Sequence, residues 1–145
     1  MTTAIRIITS KEDINTALAI RHTVFVVEQN VPLDLELDGL DEICVQFLAT
    51  VDDLPVATGR LQPVEDQAKL QRICVLESYR GLGLAALIVQ AMLDHARECG
   101  KFRSAFLEAQ TDAVGLYEKF GFVAEGEIFM DAGIPHIKMS LCLTR

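Results

Sequence analysis

Residues 78–92 read SYRGLGLAALIVQAM, an arginine and two glycines set directly before an apolar, helix-forming run. A glycine turn at a helix start leaves several main-chain N–H groups without partners, and the helix dipole adds partial positive charge at the same place. Such a turn binds pyrophosphate, because no Cβ at Gly81 or Gly83 keeps the ligand from the amides and Arg80 adds a forked donor. The alternative is a tight turn that only reverses the chain between a strand and a helix.

Outward from this stretch, Leu84, Leu87, Ile88, Ala91, Met92 and His95 recur at helical spacing, and the run ends at Gly100. This predicts a helix over 84–98 packed on a sheet. Before it, ICVQFLATV (43–51), PVATGRLQPV (55–64) and KLQRICVL (69–76) predict three strands of an antiparallel meander. After it come a strand at FRSAFLEA (102–109), a short helix capped by Thr111 or Asp112 and ending at Phe120, and strands at FVAEGEIF (122–129) and PHIKMSLCL (135–143). With a strand at AIRII (4–8) and a helix from Lys11 to Glu28 behind the N-cap Ser10, the order is β, α, three strands, α, β, α, β, β. This is a mixed α+β class.

Gly81-x-Gly83-x-x-Ala86 also satisfies the dinucleotide fingerprint, with Glu108 about twenty residues on where that fingerprint expects an acid. The context is against it: the fingerprint belongs to a strand–helix–strand unit of an open parallel sheet, and here an antiparallel meander precedes the turn. A phosphate loop ending in GKS or GKT is absent.

Composition sets further bounds. The chain has 145 residues, half of them hydrophobic, enough for one domain over 1–145 with a core that needs neither disulfide nor metal. A net charge of −8 argues against a nucleic-acid partner. Cys44, Cys74, Cys99 and Cys142 are widely spaced and show no metal-ligand pattern, so they read as small core residues. The N-terminus lacks a signal-peptide layout and no apolar run nears the ~20 residues of a membrane span, so the expected location is the cytoplasm.

Two charged features call for partners. Arg21 and Glu28 fall inside the apolar stripe Ile14, Ala17, Leu18, Val24, Phe25 of the first helix. Seven residues apart, they stand roughly 10 Å from each other along the axis. They are either partly buried ion pairs with other elements or part of a substrate cleft. Asp34–Glu42 carries five acids; as an extended segment it places Asp34, Glu36 and Asp38 on one side and Leu35 and Leu37 on the other. It is either a surface for a cationic amine or a solvated loop pinned by two leucines.

Arg80-x-x-Gly83-x-Ala85 after LQRICVL, followed by AVGLYEKFGF, resembles the GNAT superfamily of acetyl-CoA-dependent N-acetyltransferases over nearly the whole chain. RHTVFVVEQNVP, ELDGLDE and AGIPHIKMSL are similar to a small subgroup of it. The resemblance implies a mostly antiparallel, partly splayed sheet flanked by helices, with acetyl-CoA as acyl donor and a small-molecule or peptide amine as acceptor. It implies that Arg80, Gly81, Leu82, Gly83, Leu84 and Ala85 hold the pyrophosphate. The main chain of Ile73, Cys74 and Val75 then serves the pantetheine arm and thioester, and Gln110 bonds the pantetheine. Cys74 itself reads as an inert buried thiol, since no base or cation stands near it in sequence.

Tyr117 lies on the apolar stripe Ala113, Leu116, Tyr117, Phe120 and reads alone as a core tyrosine. The resemblance implies that it protonates the departing thiolate. No fixed base is implied; Glu28, Glu36, Asp38, Asp41 and His136 are open candidates, and Arg21, Arg60 and the same five residues are candidate acceptor contacts. A homodimer through the C-terminal strands is a further implication. RHTVF, ELDGLDE and ATGRLQP are also similar to acyl-homoserine-lactone synthases, although this chain has no tryptophan. A non-catalytic acyl-CoA module on the same fold is the third reading.

Overall fold

The computed structural model describes residues 1–144. Among them, seven strands form one mixed sheet: β1 (Thr3–Ile8), β2 (Val45–Val51), β3 (Leu54–Val64), β4 (Gln67–Val75), β5 (Ser104–Gln110), β6 (Val123–Asp131) and β7 (Ile134–Cys142). Their spatial order is β1-β2-β3-β4-β5-β7-β6. β4 and β5 run parallel and every other neighbouring pair is antiparallel. The order of elements follows the sequence reading, and the mixed sheet flanked by helices is the expected α+β class. The parallel fingerprint sheet is not formed: among the described residues every neighbouring pair other than β4–β5 is antiparallel.

Helices α1 (Lys11–Arg21), α2 (Leu33–Glu36), α3 (Leu84–Glu98) and α4 (Val114–Glu118) complete the described chain, with short 3-10 turns between elements. α1 starts as expected, the Ser10 hydroxyl accepting from the Asp13 amide at 3.1 Å. It does not continue to Glu28 as an α-helix: His22–Glu28 winds as a π-helix. The i→i+5 ladder advances each residue by less than 100°, so the stripe drawn through Arg21 and Glu28 breaks. Arg21 is buried and Glu28 is exposed.

α3 packs Leu84, Ile88, Val89, Met92, Leu93 and Ala96 into the main core, a stripe turned toward Val89 and Leu93 from the one expected. Each of these except Ala96 is worth about 1.5–3 kcal/mol of burial. His95 is only half-buried and meets the Phe47 ring edge-on. Contact between α3 and β3 is close enough that a Cβ on Gly59 would come within 2.9 Å of Ile88 Cγ2.

That approach coincides with a bulge. Thr58 faces Cys74 and Arg60 faces Gln71, so Arg72 and Ile73 of β4 together oppose Gly59. Arg72 takes a φ of +54° there. Past Lys69, ahead of the bulge, β4 leaves its parallel neighbour: the β4–β5 ladder holds only Gln67–Lys69 against Ser104–Phe106. The β5-facing main chain from Leu70 to Val75 is therefore open, and this splay is the gap in which the site lies.

Of the cysteines expected in the core, only Cys74 is buried; Cys142 is exposed, and Cys44 and Cys99 are half-buried. Cys142 ends the last strand, past the region that α3 covers.

Candidate active site

The glycine turn is built as a cradle. Gly81 and Gly83 hold φ of +81° and +79°, and Gly83 is the residue before the first turn of α3. The first intrahelical bond is from the Leu87 amide to the Gly83 carbonyl at 3.1 Å, so the N–H groups of Leu84, Ala85 and Ala86 have no helical partner. A Cβ on either glycine would meet no protein atom within 4 Å. The demand for glycine is thus set by backbone conformation, and the space beside it is free for a ligand. Leu82 contributes main chain only; its side chain points to solvent.

A cavity of about 710 Å³ runs from this cradle along the β4–β5 splay. Arg80, Gly81, Gly83, Leu84 and Ala85 line one end, Ile73, Cys74 and Val75 the splayed edge, and Gln110, Tyr117 and His136 the far side. Four residues, Leu76 to Tyr79, separate the strand edge from the helix cradle, and both border one space.

Arg80 is not free in the cradle. Its Nε donates to the Val75 carbonyl at 3.0 Å and its Nη2 to Glu28 Oε1 at 2.8 Å. Gln110 Nε2 likewise donates to Gln29 Oε1 at 2.9 Å, which ties the end of β5 to the end of the π-helical segment. Glu108, at the same end of β5, is paired with Lys69 at 3.0 Å.

Tyr117 is buried edge-on against Phe122, and burial pushes its phenol up to about 12. Among the described residues no group bonds its hydroxyl, while every buried polar side-chain atom has a partner; the hydroxyl therefore opens to the cavity it lines. Cys74 sits in the small core under α1, with Ile8, Ala17, Ile20, Val24 and Leu48, and burial pushes its thiol up to about 12.

The acid-rich segment is the main departure from expectation. It is not an extended strand with leucines inward: Leu33–Glu36 is a helical turn, and Leu35 and Leu37 are 51% and 45% exposed while Glu36 is 2% exposed. Arginines reverse the expected polarity. Glu36 receives Arg21 Nη2 at 3.0 Å and Arg72 Nε at 2.8 Å. Asp41 receives Arg21 Nη1 at 2.5 Å and Arg60 Nη1 at 2.9 Å, and Asp38 receives Arg60 Nη2 at 2.5 Å and Arg72 Nη2 at 3.3 Å. Gln46 and Gln71 complete the shell on Asp41 and Arg60.

Three guanidiniums and three carboxylates thus close on one another. Burial pushes Asp41 up, but the bonds from Arg21 and Arg60 outweigh it and hold the carboxyl at about 2. Burial pushes Arg60 down, and its bonds to Asp38 and Asp41 more than restore it. Arg21 and Arg60 are 0% exposed, so neither reaches the cavity surface. Arg21, Asp38, Asp41 and Arg60, expected as acceptor contacts, lie off the cavity; of this group only Glu36 and Arg72 line it. The charge that was to greet a cationic amine is spent inside the protein.

A family model for the acetyltransferase (GNAT) domain matches residues 37–143. The chain belongs to the GNAT acetyltransferase family. A provisionally named acetyltransferase of Bacillus subtilis (strain 168) is 44% identical over 137 residues, 92% of each chain. The crystal structure of a provisionally named N-acetyltransferase from Lactobacillus plantarum matches with a TM-score of 0.89 at 27% identity, covering 99% of this chain and all of that one. An acyl-CoA N-acyltransferase from Pseudomonas aeruginosa matches at 0.83 and 28% identity over 96% and 97% of the two chains. Membership of the GNAT family makes this protein an acyl-CoA-dependent transferase. Among the described residues no helix is long and apolar enough to cross a membrane.

For this GNAT chain, sequence reasoning missed Arg72, Gln71 and Gln29. Arg72 carried a signal: in LQRICVL it has the same alternation parity as Leu70 and Cys74, so a charge stood where an inward residue was due. Gln71 and Gln29 carried none, since their partners are Arg60 and Gln110, 11 and 81 residues away.

Proposed function

We propose that this protein, as one domain over residues 1–145, moves an acetyl group from acetyl-CoA to a primary amine by direct attack in a ternary complex. The observation that carries the reading is the single cavity that joins the glycine cradle, the open edge of β4 and Tyr117. The amides of Gly81–Ala86 and the Arg80 guanidinium suit the pyrophosphate. The edge of β4 at Ile73–Val75, which β5 does not pair, suits the amide-rich pantetheine arm, as an added strand would. Gln110 adds one polar contact there.

In the reaction, proximity supplies much of the acceleration. Tyr117, protonated at neutral pH and open to the cavity, gives its proton to the leaving sulfur. Cys74 stays a thiol and forms no acyl-enzyme. Val24, Phe25, Val31 and Leu35 line the cavity beneath the N-terminal segment, which favours an amine carried on an apolar body. The reading also has two copies associating through the C-terminal strands, where Val123, Ile128 and Met130 stand exposed on β6; sedimentation velocity tests that separately.

Calorimetric titration with acetyl-CoA, with NADH as control and Arg80→Glu beside the parent, tests the reading. Binding of acetyl-CoA by the parent, its loss in the variant and no heat with NADH are expected. Binding of NADH, or of neither, overturns it.

A further inference from the structure

On β7, His136 faces Gln110 of β5 on one side and Phe129 of β6 on the other. Residues directly opposite in an antiparallel ladder project to the same face, so His136 shares the face from which Gln110 reaches Gln29. Its imidazole lines the cavity. Nδ1 stands 2.7 Å from the Ile134 carbonyl oxygen. A carbonyl oxygen has no proton to give, so Nδ1–H is the donor, and in the neutral ring Nε2 carries the lone pair. Phe129 stacks on the ring at 5.9 Å and 25°, which fixes its plane. Among the described residues nothing bonds Nε2, and since every buried polar side-chain atom has a partner, Nε2 is an accessible atom of a residue that lines the cavity.

Apart from Asp131, the carboxylates in or near the cavity are paired with cations: Glu36 and Glu108 line it, whereas Glu28, Asp38 and Asp41 do not. Glu36 is held by Arg21 and Arg72, Asp38 and Asp41 by the same arginine set, Glu28 by Arg80, and Glu108 by Lys69. Lys138, next on the His136 face of β7, is paired with Glu125 of β6 at 3.2 Å. Asp131 borders the cavity from the β6–β7 turn but stands exposed, with no partner among the described residues to aim it.

The geometry points to His136 as the general base that takes the proton of the acceptor amine on Nε2, a role that rests on the acyl-transfer function proposed above. The acceptor ammonium loses one proton to Nε2, and its nitrogen lone pair forms the new C–N bond at the thioester carbonyl. The C–S bond breaks with its electron pair on sulfur, which receives the Tyr117 proton. The second nitrogen proton returns to the tyrosinate through solvent, and the imidazolium releases its own to water. One amide, one thiol and one released proton result, with no change of oxidation state.

The test exploits acceptors that differ in the need for a base. Benzylamine is an ammonium ion at neutral pH, whereas aniline is neutral and needs no proton removed before it attacks. CoA release is followed with each amine across pH in the parent and in His136→Gln. The variant is expected to lose ~10²–10³-fold in kcat/KM for benzylamine, the ordinary worth of a positioned base. It also loses the acid limb of the profile, while aniline turnover and acetyl-CoA affinity hold. His136→Ala regains benzylamine turnover on addition of free imidazole. Equal losses for both amines, or an unchanged acid limb, overturn the role. Failure of the transfer reading is separable: it appears as no acetyl-CoA binding in the parent, whereas failure of the His136 role leaves that binding intact.

Discussion

Glu28 Oε1 accepts a hydrogen bond from Arg80 Nη2 at 2.8 Å, across 52 residues of sequence. The carboxylate at the end of the π-helical segment therefore occupies the guanidinium that borders the glycine cradle. On the proposed reading, the pyrophosphate of acetyl-CoA would compete with it for that arginine and meet its negative charge besides. Glu28→Gln is expected to tighten acetyl-CoA up to about fivefold, the worth of an exposed ion pair of about 1 kcal/mol. Calorimetry at low salt reads the gain, and raising the ionic strength shrinks it. Weaker binding in the variant would mean that Glu28 positions Arg80 rather than competing for it.

The three-arginine, three-carboxylate cluster gives the fold an acid limit. Asp41 is held at about 2, below its ordinary 3.8, so its folded-state value is depressed. The sign follows: the ionised form stabilises the fold above about pH 4, and that contribution, roughly 2 kcal/mol, is lost as pH falls toward 2. Asp41→Asn should unfold at lower urea than the parent at pH 7, and the gap should close between pH 4 and pH 2. A gap that stays constant over that range would remove Asp41 as its source.

Loss of the Tyr117 hydroxyl should slow the chemistry and spare binding. Tyr117→Phe keeps the packing against Phe122 and is expected to lower kcat about 10–100-fold, since a thiolate leaves tolerably well without a proton. The dissociation constant for acetyl-CoA should hold. Burial keeps the phenol up at about 12, so the parent should show no basic limb from Tyr117 below about pH 11. A variant with full kcat would return Tyr117 to a packing role.

Alkylation separates the thiols. Cys74 is buried with its thiol pushed up to about 12, whereas exposed Cys142 is drawn down by its bonds to Thr144. Iodoacetamide at pH 8 should label Cys142 first and leave Cys74 unmodified in the folded protein, as mass spectrometry of the digests will read. Early labelling of Cys74 with loss of CoA release would reopen a covalent route.

The strand and helix order and the glycine cradle were legible because their signals are local. A positive φ at Gly81 and Gly83, an apolar period near 3.6 in α3 and alternation in the strands depend on a residue and its near neighbours. The α1 start at Ser10 and the extent of α3 follow from the same kind of evidence. The winding of His22–Glu28 did not, since a π turn differs from an α turn by one hydrogen-bond step and HTVFVV is compatible with both.

What the sequence determined by itself was the mixed fold, the place of the glycine turn and the family. What only the tertiary structure decided was which charges are free. Glu36 meets Arg21 and Arg72 from 15 and 36 residues away, and Arg60 reaches Asp38 across 22. No spacing encodes such partners: a charge excluded from water is held by whatever opposite charge the packed elements bring within reach. The same packing turned Glu36 inward and set His136 on the cavity wall.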